Sequence, residues 1–489
     1  MRPSRGLTLC TLVLLAAGCA RNPVSGRPQV TLVSEATERE LSDAEAKKVA
    51  ATMGIYDDAA LAAYVRVVGE RLARVSPRQS VSYTFQVVDM REPNAFALPA
   101  GQVYISRGLL ALLNSEDELA CVLGHEVGHV AARHAAQRVT RAAPIGILTG
   151  IPAAVTGIVS PVLGDVVGGI GGFAGALVLA PYSRGQEQEA DEIGQRLAAK
   201  AGWDPAALSS ALRTLEREET LHRGEERRTS FFATHPPLPD RVAATEVRAA
   251  TLARAAATPV AADRATFVGH LNGLPVAERA RDGVFDGQTF RHPDLDFQLE
   301  FPPGWKTANG RSVVGAAAAD GRAVVGLEVV GAGDDPQDGL RALEQKAKVD
   351  LASSAERMDV NGLPAVHVTT TARTRERRIA LDLTWIAYAG HVYRITGAMD
   401  PDGVPQLTPL VRSTAQSFRP LTRRERATIR EKRLRVVLPR RGERLVDMLA
   451  RTGSSWEVAT AAMANGVEGD APLATGWPVK VAVDEPYGR

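Results

Sequence analysis

Apolar residues recur at helical spacing between residues 41 and 75, where Val49, Met53, Leu61, Tyr64, Val65, Val68 and Leu72 mark the pattern. Residues 81–90 alternate instead, with Tyr83, Phe85 and Val87 on one parity, as in a strand. Asn94 to Ser106, "NAFALPAGQVYIS", is a second extended stretch. Helical spacing returns at Leu119, Val122, Leu123, Val127 and Val130, and again from Gln186 to Lys200, where Gly202 and Asp204-Pro205 mark a stop and a restart. Beyond residue 286 strand patterns dominate ("FQLEFPPGW", "AVVGLEVVG", "AVHVTTTA", "IALDLTWIAYAGHVYRITGAM"), with one helical interval at 336–355. No repeat of solenoid period is present. The pattern predicts an α+β multidomain chain. A mostly helical domain with a small sheet fills residues 34–250, a linker 251–286, a separate α+β domain 287–420, an Arg-rich linker 421–435 and a small module 436–483.

Composition changes this picture little. With 45% apolar and 23% charged residues the chain can build ordinary cores, and wholesale disorder is excluded. Lys+Arg at 58 against Asp+Glu at 56 gives nucleic-acid binding no support. Three cysteines, Cys10, Cys19 and Cys121, exclude a disulfide framework. The N-terminus adds more. Arg2 and Arg5 precede an apolar run from Leu7 to Ala17, shorter than the roughly 20 residues of a membrane span and of the length of a signal-peptide core. The run ends Leu15-Ala16-Ala17-Gly18-Cys19, which resembles a bacterial lipoprotein box. By that resemblance residues 1–18 are removed, Cys19 is lipidated and residues 19–33 form a tether. Ala20, where an Asp would favour inner-membrane retention, points to the outer membrane, facing the periplasm. The Gly-rich stretch from Ala142 to Ala180, interrupted by Pro144, Pro152 and Pro161, is expected to form a helical hairpin or lid rather than a membrane span.

The sharpest chemical signal is His125-Glu126-Val127-Gly128-His129. Ser115 and Glu118 resemble a capping box, so the helix is expected to begin there. His125 and His129 then stand one turn apart on one face and can reach a single tetrahedral Zn²⁺. Glu126 beside them is placed to take a proton from water rather than to bind metal. A three-ligand catalytic site needs one more protein ligand. "YSRGQEQEADEIGQRL" offers Glu187, with Asp191 one turn on to accept the other ring N–H of a ligand histidine. Glu189 points elsewhere on that helix and is expected to be a surface carboxylate. His134 is offset from His129 onto another face and is not counted as a ligand.

In order, "RNPVSGR", "NAFALPAG", "LGHEVGHVAARH", "YSRGQEQEAD" and "THPPLPDR" make residues 22–245 resemble the BepA/HtpX-like zinc metallopeptidases, relatives of the CAAX prenyl endopeptidase. The resemblance implies a gluzincin-type zinc peptidase domain with one Zn²⁺ per chain. It puts the ligands at His125, His129 and Glu187 and the general base at Glu126. It also implies that His235 and Arg241 form a His–Arg pair near the metal. His235 then either stabilises the oxyanion or caps the metal in a resting enzyme. Ala100 departs from the Gly usual after "ALP". Asn94, Ala95, Phe96 and Ala97 are expected to give an exposed edge strand that pairs with an extended substrate.

Residues 436–483 resemble a divergent LysM module, with Glu443 and Arg444 where Asp and Thr are usual. The resemblance makes peptidoglycan a candidate partner, while the two replacements leave a degenerate interaction fold as the alternative. His292, His367 and His391 are scattered and form no second metal site. Taken together, the expected function is that of a lipid-anchored zinc endopeptidase of the bacterial envelope. Its expected partners are misfolded or unassembled envelope proteins, outer-membrane proteins or their assembly machinery. Two alternatives stay open: a protease-like periplasmic chaperone of low turnover, and a cell-wall-binding adaptor.

Overall fold

A computed structural model describes residues 19–26, 28–31, 33–140, 181–223, 230–237, 240–373, 378–469 and 472–488. The expected leader at 1–18 and the Gly-rich hairpin at 142–180 lie outside the described residues. The described chain divides into two units, one holding residues 19–140, 181–276 and 432–484, the other 277–431 and 485–488.

The first unit opens with a hairpin of β1 (Cys19–Arg21) and β2 (Pro28–Val30). Residues 41–75 belong to two helices. In α1 (Glu35–Thr52) the Ser34 side chain caps the start, and in α2 (Ala59–Ala73) Asp58 accepts from the amides of Ala60 and Leu61. Three strands follow, β3 (Thr84–Val88), β4 (Ala95–Ala97) and β5 (Gln102–Ser106), in the order β3-β5-β4. β3 runs parallel to β5 and β4 antiparallel, which makes β4 an edge. After a short helix α3 (Arg107–Leu112) comes α4 (Glu116–Ala131), which carries His125 to His129. Its apolar positions Leu119, Val122, Leu123 and Val127 pack with Leu61, Val65, Val68 and Leu72 of α2 and with Phe85 and Ile105 of the sheet.

Helix α5 (Arg184–Ala201) starts at a full capping box, Ser183 with Gln186, and stops at Gly202, whose φ of 92° an L side chain rarely adopts. It lies against α4 at very close range. A Cβ on Gly194 of α5 would come within 2.7 Å of the His125 backbone nitrogen, and one on Gly128 of α4 within 3.0 Å of the Ala190 carbonyl. Gly128 therefore lets the two helices approach. Helices α6 (Ala207–Leu221) and α7 (Arg241–Ala249) close the unit over Gln195, which donates to the Thr245 carbonyl.

In the second unit a seven-stranded antiparallel sheet runs from residue 306 to 399, and a four-stranded sheet joins residues 284–300 to 419–420. Alternation splits the large sheet into two faces. Ile386, Tyr393 and Ile395 pack with Val411 of the helix Val404–Gln416, and Trp385 and Val392 with Leu340 and Leu343 of the helix Pro336–Ala347. Of the stretch expected as an Arg-rich linker, Arg423–Thr428 is helical and a strand begins at Arg430. The C-terminal module runs strand Arg430–Val437, helix Leu445–Thr452, helix Val458–Asn465, strand Val479–Pro486. Its residues from Lys432 to Asp484 belong to the first unit. The fully buried Lys480 ammonium donates to the carbonyls of Ala111 (2.8 Å) and Leu113 (2.6 Å), and Arg264 bridges Asn114 and Asn465. Among the described residues no helix is long and apolar enough to cross a membrane.

Candidate metal centre

Helix α4 begins where the sequence places it. Ser115 accepts from the Glu118 amide, while the Glu118 carboxylate reaches past the cap to the Asn114 amide at 2.6 Å. Glu116, at the first turn, is held by Tyr64, Trp203 and the amides of Val260 and Ala261, which pins the helix start in the core. From this base the helix delivers His125 and His129 to one buried spot. Helix α5 brings Glu187, and the short helical turn Phe231–Thr234 brings His235.

The ligand atoms of His125, His129, Glu187 and His235 all lie within 4.8 Å of one another, and all four residues are buried. His125 Nε2 is 3.0 Å from His129 Nε2 and 3.3 Å from His235 Nδ1. Glu187 Oε1 is 3.3 Å from His129 Nε2 and 3.1 Å from His235 Nδ1. Tetrahedral ligands about 2.0–2.1 Å from zinc stand roughly 3.3 Å apart. The donor set and its spacing therefore fit a zinc ion.

The surrounding charges support that fit. His125 Nδ1 lies 2.8 Å from Asp191 Oδ1. Arg241 grips Asp191 through two hydrogen bonds of 2.7 Å and reaches Glu187 Oε2 at 3.1 Å. Burial opposes ionisation of Glu187, but His235, His129 and His125 outweigh it and hold its carboxyl well below the usual range. Burial pushes His129 down, so its imidazole is neutral, the form that binds metal. Burial also disfavours charge on His235, yet Glu187 and Glu126 raise it. Glu126 is fully buried and, among the described residues, neither carboxylate oxygen has a hydrogen-bond partner. Its Oε1 lies 3.5 Å from His235 Nε2, and burial raises its pKa against the pull of His235 and His125. A buried carboxylate held only by so long a contact is costly to a fold.

Not every expected residue lies as the sequence suggests. Strand β4 is an edge by its pairing, but Asn94, Ala95, Phe96 and Ala97 are all buried, not exposed. The cover includes the segment that bears His235: His235 Nε2 stands 3.2 Å from the Ala95 carbonyl, and Thr234 Oγ1 3.5 Å from Asn94 Oδ1. Phe96 turns away and stacks on Tyr104, with ring centroids 5.0 Å apart. Glu189 is no free surface carboxylate, for it accepts from His134 and Asn22. His134 is not within the ligand group, but its Nδ1 lies 2.9 Å from Nδ1 of His129. Tyr182, which sequence reasoning passed over, stacks on the His129 ring at 3.7 Å between centroids. Only its place at the head of "YSRGQEQEAD" pointed towards it.

Residues 59–249 match peptidase family M48. The chain is 31% identical over 227 residues to the mitochondrial metalloendopeptidase OMA1 of Schizosaccharomyces pombe, covering 45% of this chain and 63% of that protein. It is 29% identical over 209 residues to the beta-barrel assembly-enhancing protease of Yersinia pestis, covering 42% of each. With the protease of that name from Escherichia coli it shares 26% over 233 residues, covering 46% of this chain and 47% of the other. These matches span less than two thirds of each relative's length. All the residues of the buried His–Glu cluster, with Glu126, Asp191 and Arg241, fall inside the segment that matches peptidase family M48.

Proposed function

We propose that this protein is a zinc-dependent endopeptidase in which His125, His129 and Glu187 hold one Zn²⁺ and Glu126 is the general base. The observation that carries the reading is the convergence of three buried ligand residues beside a buried carboxylate that only His235 approaches, at 3.5 Å. Zinc, when bound, supplies a Lewis acid that polarises a peptide carbonyl and makes water nucleophilic near neutral pH. Glu126 accepts the proton of the attacking water and delivers it to the leaving amine, a role favoured by its raised pKa. Asp191 orients His125, and Arg241 holds Asp191 and Glu187 in register. Nε and Nη2 of Arg241 are committed to those carboxylates, while its buried Nη1 makes no hydrogen bond among the described residues, so oxyanion stabilisation falls to His235 or to Arg241 Nη1.

A substrate strand pairing with β4 needs the Ala95 carbonyl, which His235 now meets. His235 is therefore proposed to rest as a cap on the metal group and to leave when substrate enters. That same contact favours, as a second reading, a protein that holds unfolded clients and cuts them slowly. The names of the bacterial relatives support a place in β-barrel assembly, and hence envelope proteins as substrates. Lipidation at Cys19, an outer-membrane position facing the periplasm and glycan binding by a LysM-like module at 436–483 belong to the same proposal. Failure of palmitate to label the wild type, or equal labelling of Cys19→Ser, refutes the anchor.

Zinc content and casein cleavage of three proteins test the core of the reading. Wild type should carry one zinc and cleave. Glu126→Gln should carry the same zinc and lose about 10²- to 10⁴-fold in rate, the usual contribution of a general base. The two roles of His235 make opposite forecasts for His235→Ala. With the cap dominant in the resting protein, the variant should cleave faster than the resting wild type, and slower cleavage would mean that the oxyanion role dominates. Casein cleavage by Glu126→Gln at the wild-type rate removes the base assignment.

A further inference from the structure

Each ligand histidine must present one ring nitrogen to the metal, and the other nitrogen decides which tautomer it adopts. For His125 the partner is Asp191. The partner of His129 is another imidazole. His129 Nε2 faces His125 and Glu187, while His129 Nδ1 stands 2.9 Å from Nδ1 of the fully buried His134. Two ring nitrogens at that distance share one proton. If Nε2 of His129 offers its lone pair to a metal, the proton sits on its Nδ1, and His134 Nδ1 accepts it. His134 then carries its own proton on Nε2, which lies 3.2 Å from Glu189 Oε2, an atom that accepts. One arrangement of protons satisfies the whole chain.

The chain continues to the N-terminal segment. Glu189 Oε1 accepts from Asn22 Nδ2 at 3.1 Å. Asn22 is itself buried, and its Oδ1 takes the amides of Val24 (2.8 Å) and Ser25 (3.2 Å). That turn fixes which end of the amide faces Glu189. The turn closes with the Gly26 amide on the Asn22 carbonyl at 2.8 Å.

We propose that Asn22, Glu189 and His134 form a positioning chain that holds the His129 imidazole in its metal-binding tautomer, and so ties the segment directly after Cys19 to the metal centre. The inference rests on the metal reading above. It assigns a purpose to the "RNPVSGR" turn, which lies outside the matched peptidase segment. It also makes the centre dependent on how the N-terminal tether is seated.

The test uses the full chain and two readouts that need no turnover: zinc affinity by chelator competition, and the visible spectrum of the cobalt-substituted protein. His134→Phe and Glu189→Ala should each weaken zinc by about 10–100-fold and alter the cobalt spectrum. The double variant should be no weaker than the more severe single one, because both cut one chain. His134→Asn, whose amide oxygen can stand in for Nδ1 but whose side chain is too short to reach Glu189, should recover only part of the loss, to the level of Glu189→Ala. Full recovery would leave Glu189 and Asn22 without a part. Asn22→Asp keeps the acceptor of the turn but sets a carboxylate against Glu189, and should cost about tenfold or less. If His134→Phe does not fold, Asn22→Asp carries the test. Wild-type affinity and spectrum in His134→Phe and Asn22→Asp, or His134→Asn as weak as His134→Phe, overturns the chain. A wild type that binds no zinc overturns the metal reading and this inference with it, whereas a zinc-binding wild type with indifferent variants overturns this inference alone.

Discussion

The two units use histidine in opposite ways. In the first, His125, His129 and His235 crowd around Glu187, and His134 stands behind His129. In the second, the histidines make separate local contacts, His391 only a ring contact with Tyr393 at 6.1 Å. His292 Nδ1 accepts from the Leu295 amide, and His367 pairs with Asp382 at 3.0 Å, beside Arg412. The first unit buries all four of these imidazoles, whereas His292, His367 and His391 of the second are only half-buried. Burial and convergence together mark the site, because the first unit aims several buried ligand atoms at one point.

The sharpest way to break this contrast is to remove a converging atom. Glu187→Ala should lose tight zinc altogether, beyond the roughly 10–100-fold that loss of an orienting partner costs. Full, tight zinc in that variant would mean the convergence is incidental, with His235 the first suspect as substitute ligand. Asp191→Asn should fall in the 10–100-fold range for zinc affinity or activity, because the amide keeps the shape but weakens the grip on His125 and Arg241. An unchanged affinity and rate would remove Asp191 from the account.

Much of this was legible beforehand, and the exceptions have physical causes. The histidine spacing, the Ser115 cap and the second helix with Glu187 all follow from local periodicity, which sequence displays directly. His134 stands outside the ligand group, as its spacing suggests, but its contact with His129 is not foreseen because helix arithmetic assumes an unbroken helix. The helix ends at Ala131, and Arg133 adopts a left-handed φ of 58°. Its side chain is tied to Glu38 (3.1 Å) and to the Val33 carbonyl (3.0 Å). That break swings His134 back to His129, and nothing local in the sequence announces it. The same holds for β4. Alternation marks a strand, but not that residues 231–235, far along the chain, cover its edge. Lys480 likewise caps the carbonyls of Ala111 and Leu113 across more than 360 residues, a contact that no window could anticipate.

Packing gives a smaller effect. Gly194→Ala puts a methyl group 2.7 Å from the His125 backbone nitrogen and 2.9 Å from the Gly124 carbonyl carbon, neither of which can step aside. Thermal unfolding should show a loss of about 1–3 kcal/mol, with weaker zinc as α5 is pushed outward. Unaltered stability would mean the helices are not held at that distance.

The smallest effect is in the second unit. Burial pushes His292 from its ordinary 6.5 down to about 4, against the pull of Asp294. The unfolded chain takes up this proton near pH 6.5 and the folded chain only near 4, so between those values the unfolded state holds more protons. Stability of the second unit should therefore fall as pH drops from about 6.5 to 4 and level off below. The full difference converts to about 3 kcal/mol, which screening by solvent at the half-buried ring reduces to on the order of 1–2 kcal/mol. His292→Gln should flatten that slope, and an equal slope in the variant would assign it to another group.

The account turns on which atoms hold the metal. X-ray absorption at the zinc edge, on resting wild type and on His235→Ala, reads this directly. Three imidazoles and a carboxylate are expected in the wild type, from His125, His129, His235 and Glu187, and two imidazoles and a carboxylate in the variant. Two imidazoles in the resting wild type would contradict the His235 cap, and zinc without imidazole ligands, or no bound zinc, would contradict the metal centre itself.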